Sequence, residues 1–267
     1  MNSKILFAVT ILTIFCSPSL TQVGTKQKRP LPYDYGRVVI DNHATKSELA
    51  PVVFQHWIHR SKFTCRVCHV DVGFAMKSGA TGITAADNEN GYYCGACHNG
   101  RTVIDGKTVF QACSGDVVTA RDARKCERCH SYGLKIASEH DFFLFSRPLP
   151  KERLGNGIDW EKSEELGLIK PASVLQGVSS KDALSVQKDF ELNPKVEGMP
   201  DIIFSHKKHT VWNGCELCHP DIFMGVKRGT TKYSMVDISQ GKSCGACHVT
   251  VAFPLADCQR CHSKPVS

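Results

Sequence analysis

No apolar run in this 267-residue chain reaches the roughly 20 residues needed to cross a bilayer. Aromatic residues are only 8% of it, with three Trp. Residues 141–200 contain neither Cys nor His. Acidic residues are outnumbered 26 to 33 by basic ones, a formal charge of +7. The missing apolar run excludes a membrane-embedded chain. Low-complexity disorder is excluded from the other side, because hydrophobic residues make up 42% and Cys occurs 14 times. The shortage of acid would suit nucleic acid or acidic partners, but that reading depends on what the Cys and the 12 His do.

Residues 1–21 read as a secretory leader. Met1 to Lys4 form a short basic start, Ile5 to Phe15 an apolar stretch too short to span a membrane, and Ser17, Ser19 and Thr21 a small-residue region near a cut. Phe15 before Cys16 is too large for a lipoprotein signal. The mature chain, with no transmembrane segment, is expected outside the cytoplasm. A bacterial periplasm is the first expectation, and the outer surface or the medium the alternatives.

Twelve of the thirteen remaining Cys fall in six C-x-x-C-H motifs. They are Cys65, Cys68 and His69; Cys94, Cys97 and His98; Cys126, Cys129 and His130; Cys215, Cys218 and His219; Cys244, Cys247 and His248; and Cys258, Cys261 and His262. A random chain of this composition would hold on the order of 0.03 such motifs. Two thiols three positions apart can add to the two vinyl groups on one porphyrin edge, and the next residue then lies below the ring with its imidazole towards iron. Zinc is the competing reading, since C-x-x-C pairs and His also build zinc sites. Zinc does not require His directly after every second Cys. Six covalently attached haem c groups with their iron are therefore expected. Cys113 is left over. A small buried hydrophobe is the first reading for it, with a reactive thiol, an intermolecular disulfide or a haem ligand as alternatives.

Six His remain: His43, His56, His59, His140, His206 and His209. Six haems would need six further axial ligands, which this number matches. A shift of 150 positions lays residues 54–98 on 204–248 without a gap, with 17 of 45 positions identical. Phe54, His56 and His59 fall on Phe204, His206 and His209. From the second motif to the third, the first copy runs 29 residues (Cys97 to Cys126) and the second 11 (Cys247 to Cys258). The chain thus reads as a duplicated unit with an 18-residue insertion in its first copy, which includes Cys113.

F-x-H-x-x-H followed by three C-x-x-C-H motifs resembles the class III multihaem cytochromes c, the cytochrome c3 and c7 group, over about 54–130 and 204–262. The resemblance implies that His56 binds the haem of His69 and His59 that of His98. It likewise implies His206 on the haem of His219 and His209 on that of His248. That family's third distal His precedes the second motif, and neither copy has one there. The haems of His130 and His262 are thus left with His43, His140 and Met235 as candidate ligands. A Met thioether ligates haem and raises its potential, but Met also fills gaps in cores, so both readings of Met235 stay open. Met76 and Met224 are expected in the core.

The expected fold is that of a multihaem cytochrome c. Short helices and irregular backbone wrap the haems, small β-strand pairs accompany them, and there are two c7-like three-haem modules. Pro51–Phe54 and Asp201–Phe204 suit strands. Gly157–Leu166 suits a short helix capped by Asp159, with Trp160 packing down. The expected division is a leader over 1–21, a first module with an N-terminal arm over 22–140, a haem-free connector over 141–200 and a second module over 201–267. The connector is too long for a plain loop and should pack over both modules. Porphyrin discs would replace the missing aromatic volume.

Electron transfer is the leading expectation, between redox partner proteins such as other cytochromes or quinol-linked and reductase complexes, with extracellular metal acceptors as a further possibility. A reductase with one open-site haem, acting on nitrite, hydroxylamine or sulfur oxyanions, is the alternative. Each ferric haem brings about −1 from two propionates and one ferric porphyrin charge, so six would offset about six of the seven positive charges. The Lys and Arg then meet propionates, and no nucleic-acid partner is expected.

Overall fold

The computed structural model describes residues 29–113, 120–175, 177, 188–194, 196–224 and 229–264. The leader at 1–21 and the first part of the arm lie outside these residues. Among them, no helix is long and apolar enough to cross a membrane.

The expected strands are present, and each has found a partner. β1 (Arg37–Ile40) pairs antiparallel with β2 (Val52–Gln55), Arg37 opposite Gln55 and Ile40 opposite Val52. β2 runs directly into α1 (His56–Arg60), the turn that carries His56 and His59. α2 (Ala85–Glu89) starts at Thr84, whose hydroxyl accepts from the Asp87 backbone while the Asp87 carboxylate accepts from Thr84 N–H. This reciprocal cap satisfies two of the open N–H groups at a helix start. The insertion holds the hairpin β3 (Val103–Ile104) and β4 (Lys107–Thr108). Its turn, Asp105-Gly106, takes φ of +50° and +73°, the left-handed pair a tight hairpin needs.

α3 (Ala120–Glu127) leads into the third motif, and α4 (Leu134–Glu139) and α5 (Phe142–Ser146) follow. α6 (Trp160–Glu165) is the expected connector helix, with Asp159 accepting from Lys162 N–H at 3.1 Å. β5 (Phe190–Leu192) pairs with β6 (Ile202–Phe204), Phe190 opposite Phe204. β6 leads into α7 (His206–Asn213), as β2 leads into α1. α8 (Met235–Ser239) is capped at the 150-shifted positions, where the Ser234 hydroxyl accepts from Asp237 N–H at 3.1 Å and donates to the Asp237 carboxylate at 2.7 Å. α9 (Gly245–His248) and α10 (Cys258–Cys261) carry the last two motifs. No described helix exceeds eight residues, as the scattered Gly and Pro lead one to expect.

The main hydrophobic cluster lies between the first copy and the connector. Trp57, Phe142, Leu149, Ile158, Trp160 and Ile169 are buried together, and Trp212 of the second copy packs against them. Trp57 meets Phe142 edge-on at 5.2 Å between ring centroids and Phe145 at 5.1 Å. Trp160 donates its indole N–H to Asn156 Oδ1 at 3.1 Å, so the buried ring leaves no polar atom unpaired. Tyr35 ties the arm to the second copy by donating to the Ala252 carbonyl at 2.6 Å. Arg260 lies 3.6 Å from Glu152 and 3.7 Å from Asp159 of the connector. The connector therefore touches both copies.

The methionines correct one expectation. Met76 is 36% exposed and Met224 87% exposed, not in the core. Met224 follows Phe223, whose carbonyl turns in to His219, and the next side chain faces solvent.

Because Trp160 fills the wall shared by all three segments, Trp160→Ala is expected to cost about 3–5 kcal/mol, the range for deleting a large core aromatic. Calorimetry of the holoprotein should show a correspondingly lower Tm.

Candidate functional site

The six motifs are all wound as a single tight turn, five of them alike. In five of them the His N–H bonds the carbonyl of the first Cys at 2.8–3.1 Å, for example His98 to Cys94 and His248 to Cys244. The remaining one winds as a single π turn over Val67–Asp71. One helical turn places residues i and i+3 on the same side and i+4 next to them. Both thiols and the imidazole of each motif are thus presented together.

Gly95 and Gly245 show how tightly the second motif is seated. A Cβ on Gly95 would lie 1.9 Å from the Asn88 carbonyl oxygen, and one on Gly245 1.8 Å from that of Ile238. Only Gly lets these turns lie against α2 and α8.

Most of the imidazoles are held in one way. His69 Nδ1 bonds the Phe74 carbonyl at 2.8 Å, His219 that of Phe223 at 2.8 Å and His248 that of Phe253 at 3.0 Å. His130 bonds Ala50 at 2.8 Å and His262 bonds Pro200 at 2.9 Å, the residues two places before β2 and β6. Among the remaining His, His56 bonds Gly36, and His206 bonds Lys188 at 2.9 Å. His59 bonds Gln55 at 3.4 Å, and His209 bonds Ser205 at 2.8 Å. A carbonyl can only accept, so Nδ1 carries the proton and the Nε2 lone pair is free for a metal. His98 is the outlier. The Phe110 carbonyl lies close enough to favour its charged form, yet its buried Nδ1 has no bond of normal geometry.

Burial holds several rings neutral, as a metal ligand must be. It pushes His56 and His59 down to about 4, against the opposing pull of the Gly36 and Gln55 carbonyls. Burial also lowers His69, His98 and His248. The same surroundings push the Cys68, Cys94 and Cys247 thiols up to about 12. These sulfurs sit in apolar space that suits an uncharged thioether.

The rings meet in pairs. His56 and His69 stand 6.5 Å apart between centroids with planes 12° from parallel. His59 and His98 stand 6.3 Å apart at 52°, and His209 and His248 6.3 Å apart at 62°. Two imidazoles bonding one metal from opposite sides would stand roughly 6.2 Å apart, from bonds of ~2 Å and ~1.1 Å from nitrogen to ring centre. The donor set and its spacing therefore fit haem. Phe54 and Phe204 pack their rings on His59 and His209, each at 4.4 Å, and also edge onto His56 and His206.

Other candidates are not drawn together in this way. His206 packs on Phe190 at 5.1 Å and Phe204 at 5.0 Å, and no ring contact with His219 occurs among the described residues. His43 is exposed and lies within electrostatic reach of Asp87. His140 is exposed and within such reach of His59. Met235 is 54% exposed at the first turn of α8.

Cys113, expected as a small buried hydrophobe, is partly buried at φ +48° and accepts from Asn88 Nδ2 at 3.7 Å. It lies in electrostatic range of Cys94, Cys126 and Cys129. The carbonyl partners were not foreseen from the sequence. The 150-residue shift could have pointed to Ala50 and Pro200, which it superposes. Beside the third motif, a cavity of about 540 Å³ gathers Arg124, Lys125, Arg128 and Lys135, with Arg128 over the Phe110 ring at 4.8 Å.

The family model for cytochrome c7 and related cytochrome c matches residues 52–131 and 202–263. The chain is 39% identical to a solved c7-type three-heme cytochrome domain, covering 29% of this chain and 95% of that one at a TM-score of 0.27. It is 24% identical to the C-terminal hexaheme fragment of GSU1996, covering 88% and 99% at a TM-score of 0.26. With the dodecaheme cytochrome c GSU1996 the identity is 24%, over 85% and 74% at a TM-score of 0.26. No match was found among the curated proteins.

Gly95→Ala places a methyl group against backbone. It is expected to destabilise the holoprotein by about 1–3 kcal/mol or more. Ala96→Gly in the same motif serves as the control. Thermal melts followed by circular dichroism should separate the two.

Proposed function

This chain belongs to the family of cytochrome c7 and related cytochromes c, multihaem electron-transfer proteins with several covalently attached haem c groups, and on that premise we propose that it is an exported six-haem carrier passing electrons between respiratory partners. The observation that carries the reading is the set of three facing imidazole pairs 6.3–6.5 Å apart. Bound haem supplies a one-electron ferric/ferrous couple. The chain's own residues anchor, orient and enclose it.

The twelve motif Cys would hold the porphyrins covalently, and His69, His98, His130, His219, His248 and His262 would each give one nitrogen to iron. His56, His59 and His209 would give the second nitrogen to the haems of His69, His98 and His248. His206 would do so for the haem of His219. His43, His140 and Met235 serve as the candidates at His130 and His262. Paired imidazoles leave no open position for a substrate and favour low potentials relative to Met ligation. The carbonyl bonds on Nδ1 strengthen the donor character of Nε2. Two three-haem modules, 22–140 and 201–267, are joined by the 141–200 connector. The leader at 1–21 directs the chain to the periplasm or beyond. The cationic lining of the cavity beside the third motif supports contact with the acidic faces of redox partners.

Haem content measured from the alkaline pyridine spectrum should give six haems per chain, low-spin when oxidised and unreactive to carbon monoxide when reduced. His59→Ala should leave six haems attached but convert one to a high-spin, carbon monoxide-binding form. Extensive carbon monoxide uptake by the unmodified protein would overturn the carrier reading in favour of a reductase with an open haem.

A further inference from the structure

Arg60 ends α1, one residue after His59. Its guanidinium lies between two indoles, 4.7 Å from the Trp160 centroid and 5.1 Å from that of Trp212. The three side chains come from three parts of the chain: the first copy, the connector and α7 of the second copy. An Arg guanidinium lying over an indole face is held by cation–π attraction, strongest when water is excluded.

One guanidinium nitrogen donates to the Val251 carbonyl at 3.2 Å, and Val251 N–H donates to the Cys247 carbonyl at 3.1 Å. Two hydrogen bonds thus join Arg60 of the first copy to the second motif of the second copy. Arg60 Nε is buried without a partner. The Glu164 carboxylate lies within its electrostatic range and accepts from the Trp212 indole N–H.

Arg60 lies within electrostatic range of both Cys65 and Cys247, and Cys65 lies within such range of Cys247 and Cys218. Arg60, at the end of α1 five residues before Cys65 and hydrogen-bonded through Val251 to Cys247, therefore stands beside the first motif of one copy and the second motif of the other. A Met or Leu could fill the slot without the cost of desolvating a charge. What Arg adds is a positive charge in a poorly screened place.

We propose that Arg60 sets the reduction potentials where the two copies meet, its charge raising those of the haems held by Cys65–His69 and Cys244–His248 above the others. Reduction adds one electron to an iron, and a fixed cation nearby favours that state. No proton or bond changes at Arg60. Reducing equivalents would then settle first at the junction between modules. The inference rests on the haem assignments proposed above.

The test uses the full holoprotein in potentiometric titrations, with haem-methyl NMR signals identifying each step. Arg60→Met should shift the two junction haems to lower potential and leave the other four near their starting values. Arg60→Lys keeps the charge and should hold the potentials even if the Tm falls, because a purely structural role would move both variants alike. Glu164→Gln removes a neighbouring negative charge and should shift the same two haems upward. Unmoved potentials in Arg60→Met, equal shifts at all six haems, or Arg60→Lys following Arg60→Met would overturn the proposal. If Arg60→Met yields no holoprotein, Glu164→Gln decides, and an unchanged titration overturns it. A pyridine haem measurement on each sample separates the two readings. Six haems with unmoved potentials refute the role of Arg60 alone, whereas fewer than six in the unmodified protein refute the haem assignment beneath it.

Discussion

The bond from an imidazole Nδ1–H to a backbone carbonyl is the constraint around which the rest of this protein is arranged. An imidazole serves a metal only if one nitrogen keeps its lone pair and the ring is aimed. A carbonyl on the other nitrogen meets both needs without introducing a charge. The carbonyl must also point at the ring, which loops and the ends of short elements allow. Carbonyls inside a long helix point along its axis, whereas the loops at Phe74, Phe223 and Phe253 each turn one towards the motif His that precedes it. The strand pairs serve the same end from the other side. β1–β2 brings Gly36 to His56 and Ala50 to His130, and β5–β6 brings Lys188 to His206 and Pro200 to His262.

Duplication has kept these relations while most side chains have changed. Ala50 and Pro200 share nothing as side chains, yet their carbonyls stand at equivalent positions and receive equivalent imidazoles. Thr84 with Asp87 and Ser234 with Asp237 cap equivalent helices, the hydroxyl in each case accepting from the Asp backbone N–H and donating to its carboxylate. Where a side chain is constrained, it is constrained by space: Gly95 and Gly245 each lie against the backbone of the capped helix. The first copy departs from the second after Cys97. There the β3–β4 hairpin fills the added length, and Phe110, beyond that hairpin, takes the place beside His98 that Phe253 takes beside His248.

Much of this was legible in the residues. The motifs, the 150-residue shift and the strands before His56 and His206 follow from spacing alone, because covalent attachment and strand alternation are local requirements. The Asp159 cap and buried Trp160 were legible for the same reason. Backbone carbonyls carry no residue identity, so the partners of Nδ1 had no signature to read. Arg60 looked like one of many basic residues because its two indole neighbours lie about 100 and 152 positions away. Met224 was misplaced because hydrophobicity says nothing of a loop turned by a carbonyl contact. Cys113 adopts a left-handed backbone, and sequence rules expect that chiefly of Gly or Asn.

The connector explains why a stretch without Cys or His is kept between two ligand-rich copies. The main cluster holds Trp57 of the first copy and is completed by Phe142, Leu149, Ile158, Trp160 and Ile169 from outside both copies. Trp160 does this with one side of its ring system while the Arg60 guanidinium lies over it. The same indole thus sets the packing between copies and the dielectric around the cation. Drier packing at this wall strengthens the field of Arg60, and looser packing admits water that screens it. Distance between the copies and charge at their junction are therefore one property of the fold, so the connector can hold the modules in place only by also fixing the electrostatics between them.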